Sequence, residues 1–255
     1  MISRSWTART AGFVMAFLPL VWSSAHSQSL RFERFVPALQ QPWYFSDGVD
    51  GIAAVGDTVF AVSEGNAFAL SRTGRVITLG SPFGANNAQD LVARDGMLYI
   101  PTFRGVVRMD QNFESTELLV GGAIGEPGEI ALANALDFLS DGSFVLLDVD
   151  FSVPDGSANS VKVYDADFNF QSSFQGFGPC TAGFAIPPEG LLVAPDDTVY
   201  VTDSCNNQII QFDVEGNLLR AFGSFADTPR PQDLVFSSDG SQLLVASDRD
   251  VAVLA

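Results

Sequence analysis

The stretch Pro188-Glu189-Gly190-Leu191-Leu192-Val193, Asp196-Asp197, Val199-Tyr200-Val201-Thr202-Asp203, Gln208 to Asp213, Gly216 and Leu218 to Phe222 decides the fold. Its apolar runs are about five residues long and end at Asp, Asn or Gly, which is too short for a helical stripe and right for strands joined by tight turns. Four strands fit into this one stretch. Elsewhere the chain repeats it: Pro231 opens Gln232-Asp233-Leu234-Val235-Phe236, then Asp239-Gly240, then Leu243 to Asp248. Upstream, Asp50-Gly51-Ile52-Ala53-Ala54-Val55, Gln89-Asp90-Leu91-Val92-Ala93 and Asn134-Ala135-Leu136 begin the same pattern. The equivalent positions Gly51, Asp90, Ala135, Gly190 and Asp233 are 39, 45, 55 and 43 residues apart. That is the period of four-stranded propeller blades, about 40 to 50 residues. The expectation is an all-β propeller of five blades, or six if the native chain continues past Ala255. Ser29 to Val36 precedes the first repeat as an orphan strand. It is expected to supply the outer strand of the last blade and close the ring, leaving no open sheet edge.

Residues 1–27 read differently. Arg4 and Arg9 precede an apolar run from Ala11 to Trp22, and Ala25-His26-Ser27 offers small residues around a cleavage point before Gln28. This is the layout of a secretory signal peptide, and the run is too short to cross a bilayer core of about 30 Å. The expected organisation is a signal peptide over 1–27 and one propeller domain over 28–255. Export to the periplasm or the extracellular space follows, with no membrane insertion after cleavage.

Charge excludes further classes. The chain has 30 acidic and 13 basic side chains and a formal net charge of −17, so nucleic acid and anionic membranes should repel it. Its one histidine, His26, lies in the leader, which removes histidine acid–base chemistry, His-ligated zinc and Ser-His triads from the mature protein. Lys162 is the only lysine, and Trp43 the only tryptophan beyond the leader.

Residues 188–222, with Val201-Thr202-Asp203, Asn206-Asn207 and the closing Ala221-Phe222-Gly223, resemble an NHL repeat, and the mature chain can be laid out as such repeats. The first two repeats depart from the pattern, with Ser63 and Thr102 in place of the Asp after the second strand, and the third is lengthened by Ser152 to Ala158. Pro231 to Asp248 also resembles the propellers of gluconolactonase-type lactonases. Where those carry Asn-Gly after the proline, Gln232-Asp233 stands here. The first resemblance implies a binding module, the second a calcium-dependent lactonase or related hydrolase.

The position just before each inner strand is where side chains would converge on a propeller's channel mouth. It is held by Asp50, Gln89, Asn134, Glu189 and Gln232, all with a side-chain oxygen. Such a set would line the site of a small polar ligand, or hold Ca²⁺ through Asp50, Asn134 and Glu189, because Ca²⁺ takes 6 to 8 hard oxygen ligands. The same five oxygens could equally solvate a water-filled funnel. Asp47, Asp90, Asp137 and Asp233 are expected to deepen the negative potential there. Trp43, within Pro42-Trp43-Tyr44-Phe45, would stand beside the mouth as an aromatic wall or pack between blades. Most other acids, such as Asp141 before Gly142 and Asp239 before Gly240, are turn residues. Asp148, Asp150 and Asp155, and Asp165 to Asn169, lack the glycine and terminal glutamate of an EF-hand loop and are read as structural. Cys180 and Cys205, the only cysteines, fall in neighbouring loops of an exported chain, and a disulfide between them is expected. The sequence thus supports a monomeric exported propeller that binds an unknown protein or small polar ligand, with a calcium-dependent hydrolase as the alternative.

Overall fold

Val, Ile, Leu, Phe and Tyr in runs of three to six residues suit a pleated strand packed on both faces, while the Asp, Asn and Gly between them suit tight turns. The computed structural model describes residues 13–14, 36–37, 49–63, 65–71, 73–80, 88–103, 105–121, 128–153, 156–176, 187–223, 230–237, 239–247 and 251–254. Among them every regular element is a strand. β1 (Phe13–Val14) and β2 (Val36–Pro37) form a two-stranded sheet of their own, Phe13 opposite Pro37 and Val14 opposite Val36.

Five antiparallel sheets follow in chain order. The first is β3 (Gly51–Val55), β4 (Thr58–Ser63), β5 (Asn66–Ser71) and β6 (Val76–Gly80). The second is β7 (Val92–Arg94), β8 (Met97–Thr102), β9 (Gly105–Asp110) and β10 (Thr116–Val120). β11 (Ala133–Phe138), β12 (Phe144–Asp148), β13 (Ser160–Tyr164) and β14 (Phe170–Phe174) make the third. The fourth holds β15 (Leu191–Val193), β16 (Val199–Asp203), β17 (Gln208–Phe212) and β18 (Leu218–Phe222). β19 (Pro231–Phe236), β20 (Leu243–Ser247) and β21 (Val251–Leu254) make the fifth, three-stranded among the described residues. Each strand pairs with the next in sequence, so every sheet is a meander, and the fold is an all-β propeller of five blades. Residues 29–35 of the expected closing strand lie outside the described residues, and its last residue, Val36, pairs in β2.

The chain divides into two compact units, Met1–Ile100 with Arg108–Glu117, and Pro101–Val107 with Leu118–Ala255. In the first, Val59, Ala61, Phe68 and Leu70 form a buried cluster under Val49, Ile52 and Val76. In the second, Leu147, Val161, Val163, Leu191, Val201 and Phe212 join the third blade to the fourth. Leu192, Ile209, Leu234 and Val245 then join the fourth to the fifth, with Tyr200 edge-on to Phe236 at 5.6 Å between ring centroids. Middle strands covered on both faces read as continuous apolar runs, and all five residues of β12 are buried. The last strand of a blade has fewer neighbours, and β18 is largely exposed.

One seam is filled twice in opposite ways. The third-to-fourth-strand turns place Phe113 and Gly216 at positive φ, 64° and 87°. Phe113 lies edge-on to Phe60 at 6.1 Å and over Gly80, where an added Cβ would touch its ring at 3.0 to 3.3 Å. In the second unit the large residue has changed sides: Phe174 ends β14, and a Cβ on Gly216 would overlap its ring. Each seam holds one aromatic ring and one glycine, which conserves volume.

Gly216→Ala is therefore expected to destabilise the protein by roughly 2–4 kcal/mol, combining left-handed strain with overlap. Gly56→Ala, also at positive φ (57°) but with open space around it, should cost about 1 kcal/mol. Urea denaturation measures both. Phe174→Ala in the Gly216→Ala background should be clearly less destabilising than the sum of the single changes; strict additivity would refute the overlap.

Candidate functional site

Strand pairing puts four of the five repeat equivalents where the spacing predicts. Gly51 lies opposite Val62, Ala135 opposite Leu147 and Asp233 opposite Ala246, while Gly190 O accepts from Thr202 N at 2.9 Å. The preceding residues Asp50, Gln89, Asn134, Glu189 and Gln232 are all half-buried, and each is followed by a buried residue. Asn134 and Gln232 occupy β-bulges, where the register steps between Ala133 and Ala135 and between Pro231 and Asp233. A bulge leaves one residue out of the ladder and re-aims its side chain, a device common beside binding sites.

Glycine brings successive strand entries together. In the first unit, a Cβ at Gly51 would stand 2.5 Å from the Asp90 carbonyl carbon and the Leu91 nitrogen, so no larger residue allows this approach. Asp50 and Gln89 thereby become neighbours in the backbone sense. In the second unit, a Cβ at Gly190 would meet Gln232 O at 2.7 Å and Asp233 Cα at 2.8 Å. Asn134 Nδ2 donates to Pro188 O and Glu189 O, each at 3.1 Å. Asn134, Glu189 and Gln232 thus follow one another along a linked series of backbone and amide contacts. Of the expected calcium set, Asn134 and Glu189 belong to this series, and Asp50 belongs to the first unit.

The sequence reading missed what lies beneath these residues. The second strand of every blade ends in a buried polar side chain: Ser63, Thr102, Asp148, Asp203 and Ser247. Thr202 Oγ1 accepts from Glu189 N at 3.1 Å and Gly190 N at 2.8 Å, holding the fourth entry. Asp148 Oδ1 accepts from Ala131 N and Leu132 N, both at 2.9 Å, holding the third. Its Oδ2 is 3.1 Å from Lys162 Nζ, and the two side chains are 5% and 12% exposed. Burial pushes the Asp148 carboxyl up from its ordinary value, against the Leu132 N–H and the Lys162 charge that hold it down. Lys162 is thereby committed to an ion pair inside the blade, and the lone lysine of the chain is a structural residue. Tyr164, whose hydroxyl donates to Gly128 O at 3.2 Å, is pushed up by burial and then by the Asp148 charge. A polar residue at the end of each apolar second strand was the available signal, visible as the Ser63 and Thr102 departures from Asp.

Three acids expected to charge the mouth also hold the backbone. Asp90 Oδ1 accepts from Leu91 N at 2.7 Å and Asp233 Oδ1 from Leu234 N at 2.8 Å, and both side chains are buried. Asp137 sits within β11 and spans to the next blade, accepting from Phe138 N and Val193 N at 2.9 Å each. Asp47 and Trp43 lie outside the described residues. Asp165 accepts from Asp167 N and Asn169 N, as a turn cap does. Among the described residues no three His, Cys, Asp or Glu side chains gather as metal ligands, and no helix is long and apolar enough to cross a membrane. Cys205 is in the turn after β16 and is not a free thiol; Cys180 lies outside the described residues.

Residues 188–212 match the NHL repeat model, in agreement with the resemblance read from the sequence. No curated protein matches the chain. Among solved structures, it is similar to a candidate gluconolactonase from a structural genomics programme, target DrR130, with 16% identity, a TM-score of 0.60, and coverage of 78% of this chain and 70% of that one. A Bacteroides caccae protein of unknown function matches at 11% identity and TM-score 0.56, covering 78% and 69%. The WD40 β-propeller domain of Doa1 matches at 13% identity and TM-score 0.58, covering 86% and 65%. At these identities the likeness is one of fold.

Replacing Asp148 by Ala leaves the Lys162 charge and two backbone N–H groups without their acceptor, and should cost roughly 3–5 kcal/mol. Lys162→Met should cost less, because a carboxyl already displaced toward its neutral form can take up a proton. Chemical denaturation of both single variants and the double variant should show the double recovering part of the Asp148→Ala loss; full additivity would mean the pair is uncoupled.

The turn acids set the response to acid. Asp239 accepts from Ser237 Oγ at 2.6 Å and from Ser241 Oγ and N at 2.8 and 3.0 Å, and its carboxyl falls to about 2. Asp165, Asp196 and Asp213 are also held below the ordinary value, by Asn169, Thr198 and Asn217 respectively. A folded value below the unfolded one means the unfolded chain binds more protons, so this stability is present above the unfolded value of 3.8 and is lost as pH falls toward about 2. Asp148 has the opposite sign. Its contribution falls as pH rises out of the ordinary carboxylate range. Asp239→Asn should flatten the fall in melting temperature between these pH values, whereas Asp148→Asn should steepen it.

Proposed function

We propose that the chain is an exported binding module, in which the half-buried Asn134, Glu189 and Gln232 of the second unit line the recognition site for a small polar ligand or a protein partner. The observation that carries this reading is their linked placement: two bulged amides and one carboxylate in series, with the third and fourth strand entries held by Asp148 and Thr202. Rigid strands with side chains re-aimed by bulges suit recognition, since little order has to be gained on binding. Export rests on the leader-like residues 1–27, and a Cys180–Cys205 disulfide is part of the same reading, supported by Cys205 not being a free thiol.

Ca²⁺ fits this series poorly. One carboxylate and two amides fall short of the 6 to 8 oxygens the ion takes. The lactonase reading, which the gluconolactonase-like fold keeps in view, depends on such an ion.

The test is a thermal-shift screen of sugar acids, amino acids, lactones and Ca²⁺ against chelator-treated protein, with Trp43 emission as a second signal. A ligand of this site should raise the melting temperature of the wild type and lose most of that effect in Glu189→Gln and Asn134→Ala. A ligand whose shift survives in both variants binds elsewhere and defeats the assignment. Lactone turnover that Glu189→Gln abolishes would replace the binding module with an enzyme.

A further inference from the structure

The third blade carries an insertion that the fold does not require. Between β12 and β13 the chain runs through residues 149–159, where the fourth blade connects β16 to β17 with residues 204–207 alone. The longer loop is built rather than slack: Asp150 N donates to Asn159 Oδ1 at 2.9 Å, Ser152 N to Asp150 Oδ1 at 2.7 Å, Gly156 N to Val153 O at 3.1 Å and Asn159 N to Gly156 O at 3.1 Å. On this framework Phe151 is 61% exposed, with Val153 exposed beside it. The corresponding loop of the second blade, in the same compact unit, exposes Phe103 and is closed by Thr102 Oγ1 donating to Gly105 O at 2.9 Å.

Large aromatics held out into water on braced turns are anchors in search of a pocket or an apolar partner. The surrounding charge says what kind of partner. The second unit contains 20 acidic and 5 basic side chains, and its one lysine, Lys162, is buried against Asp148. Arg104, next to Phe103, is the only basic residue in these two loops. An acidic partner, or an anionic membrane, would meet a field of its own sign.

We infer that Phe151 and Val153 form a docking surface for a protein segment that alternates cationic and apolar side chains. The inference deepens the binding-module reading but uses none of the residues assigned above to the polar site. Apolar side chains of the partner cover both residues, and its cations answer Asp150 and the wider acidic field, giving contact and steering together.

Short synthetic peptides provide the test, measured against the full exported chain by fluorescence anisotropy. One alternates Arg with Leu and Phe, a second replaces Arg by Glu, and a third replaces Leu and Phe by Ser. The first should bind best, and more weakly at high salt. Phe151→Ser and Val153→Ser together should weaken it about tenfold without lowering the melting temperature, because both side chains are exposed. Glu189→Gln should leave it unchanged, which separates this surface from the polar site. Equal binding of the Glu peptide, full retention of binding in the double variant, or no binding of the Arg peptide would each overturn the inference. So would Phe151-dependent partition onto zwitterionic vesicles in place of peptide binding.

Discussion

Each blade brings the start of its first strand and the end of its second strand to the same edge of the sheet, and the backbone N–H groups of the entry must find an acceptor there. Buried N–H groups without one would cost a few kcal/mol apiece; in the first blade the Val62 carbonyl accepts from Asp50 N, and in the third and fourth blades a polar side chain near the end of the second strand does so. The third blade meets this constraint with the Asp148 carboxylate on Ala131 N and Leu132 N, the fourth with the Thr202 hydroxyl on Glu189 N and Gly190 N. The two solutions carry different consequences. A hydroxyl is neutral and self-sufficient, whereas a buried carboxylate needs a cation, and the chain places its single lysine there. What looks in composition like the last hope of amine chemistry is the counter-ion of a strand entry.

The same economy runs through the seams. Sequence similarity between blades is low because position and volume matter more than identity. Phe113 over Gly80 and Phe174 beside Gly216 are one arrangement with the ring on opposite sides. A repeat search that demands conserved residues at each position scores such an exchange as two mismatches, although the packed volume is unchanged. The NHL repeat match covers residues 188–212, while the sheets show five blades.

The strand plan was legible because short apolar runs between Asp, Asn and Gly have few other solutions, and the equivalence of Gly51, Asp90, Ala135, Gly190 and Asp233 agrees with the strand register wherever it is resolved. The direction of individual carboxylates was not legible. Asp90, Asp137 and Asp233 lie beside the expected mouth in sequence, and each carboxylate also caps a backbone N–H one residue on. Asp is short enough to bond its own neighbourhood and does so wherever a strand begins in a buried place. Nothing in residue type or spacing distinguishes an Asp that faces solvent from one that closes on Leu91 or Leu234. The bulges at Asn134 and Gln232 were hidden for a similar reason: one extra residue in a strand leaves no mark on an apolar pattern already broken at that point.

These two facts together narrow where recognition can lie. In the second unit the residues one step before the strand-entry positions are two amides, Asn134 and Gln232, and one carboxylate, Glu189. Amides offer both donors and acceptors and no charge, so this series presents a hydrogen-bonding pattern beside the single charge of Glu189. The strong negative field of the protein arises elsewhere, from the turn acids, which their caps keep ionised down to low pH. If the proposed site binds a ligand, the turn acids set the field through which that ligand approaches, and Asn134, Gln232 and the Glu189 carboxylate make its contacts.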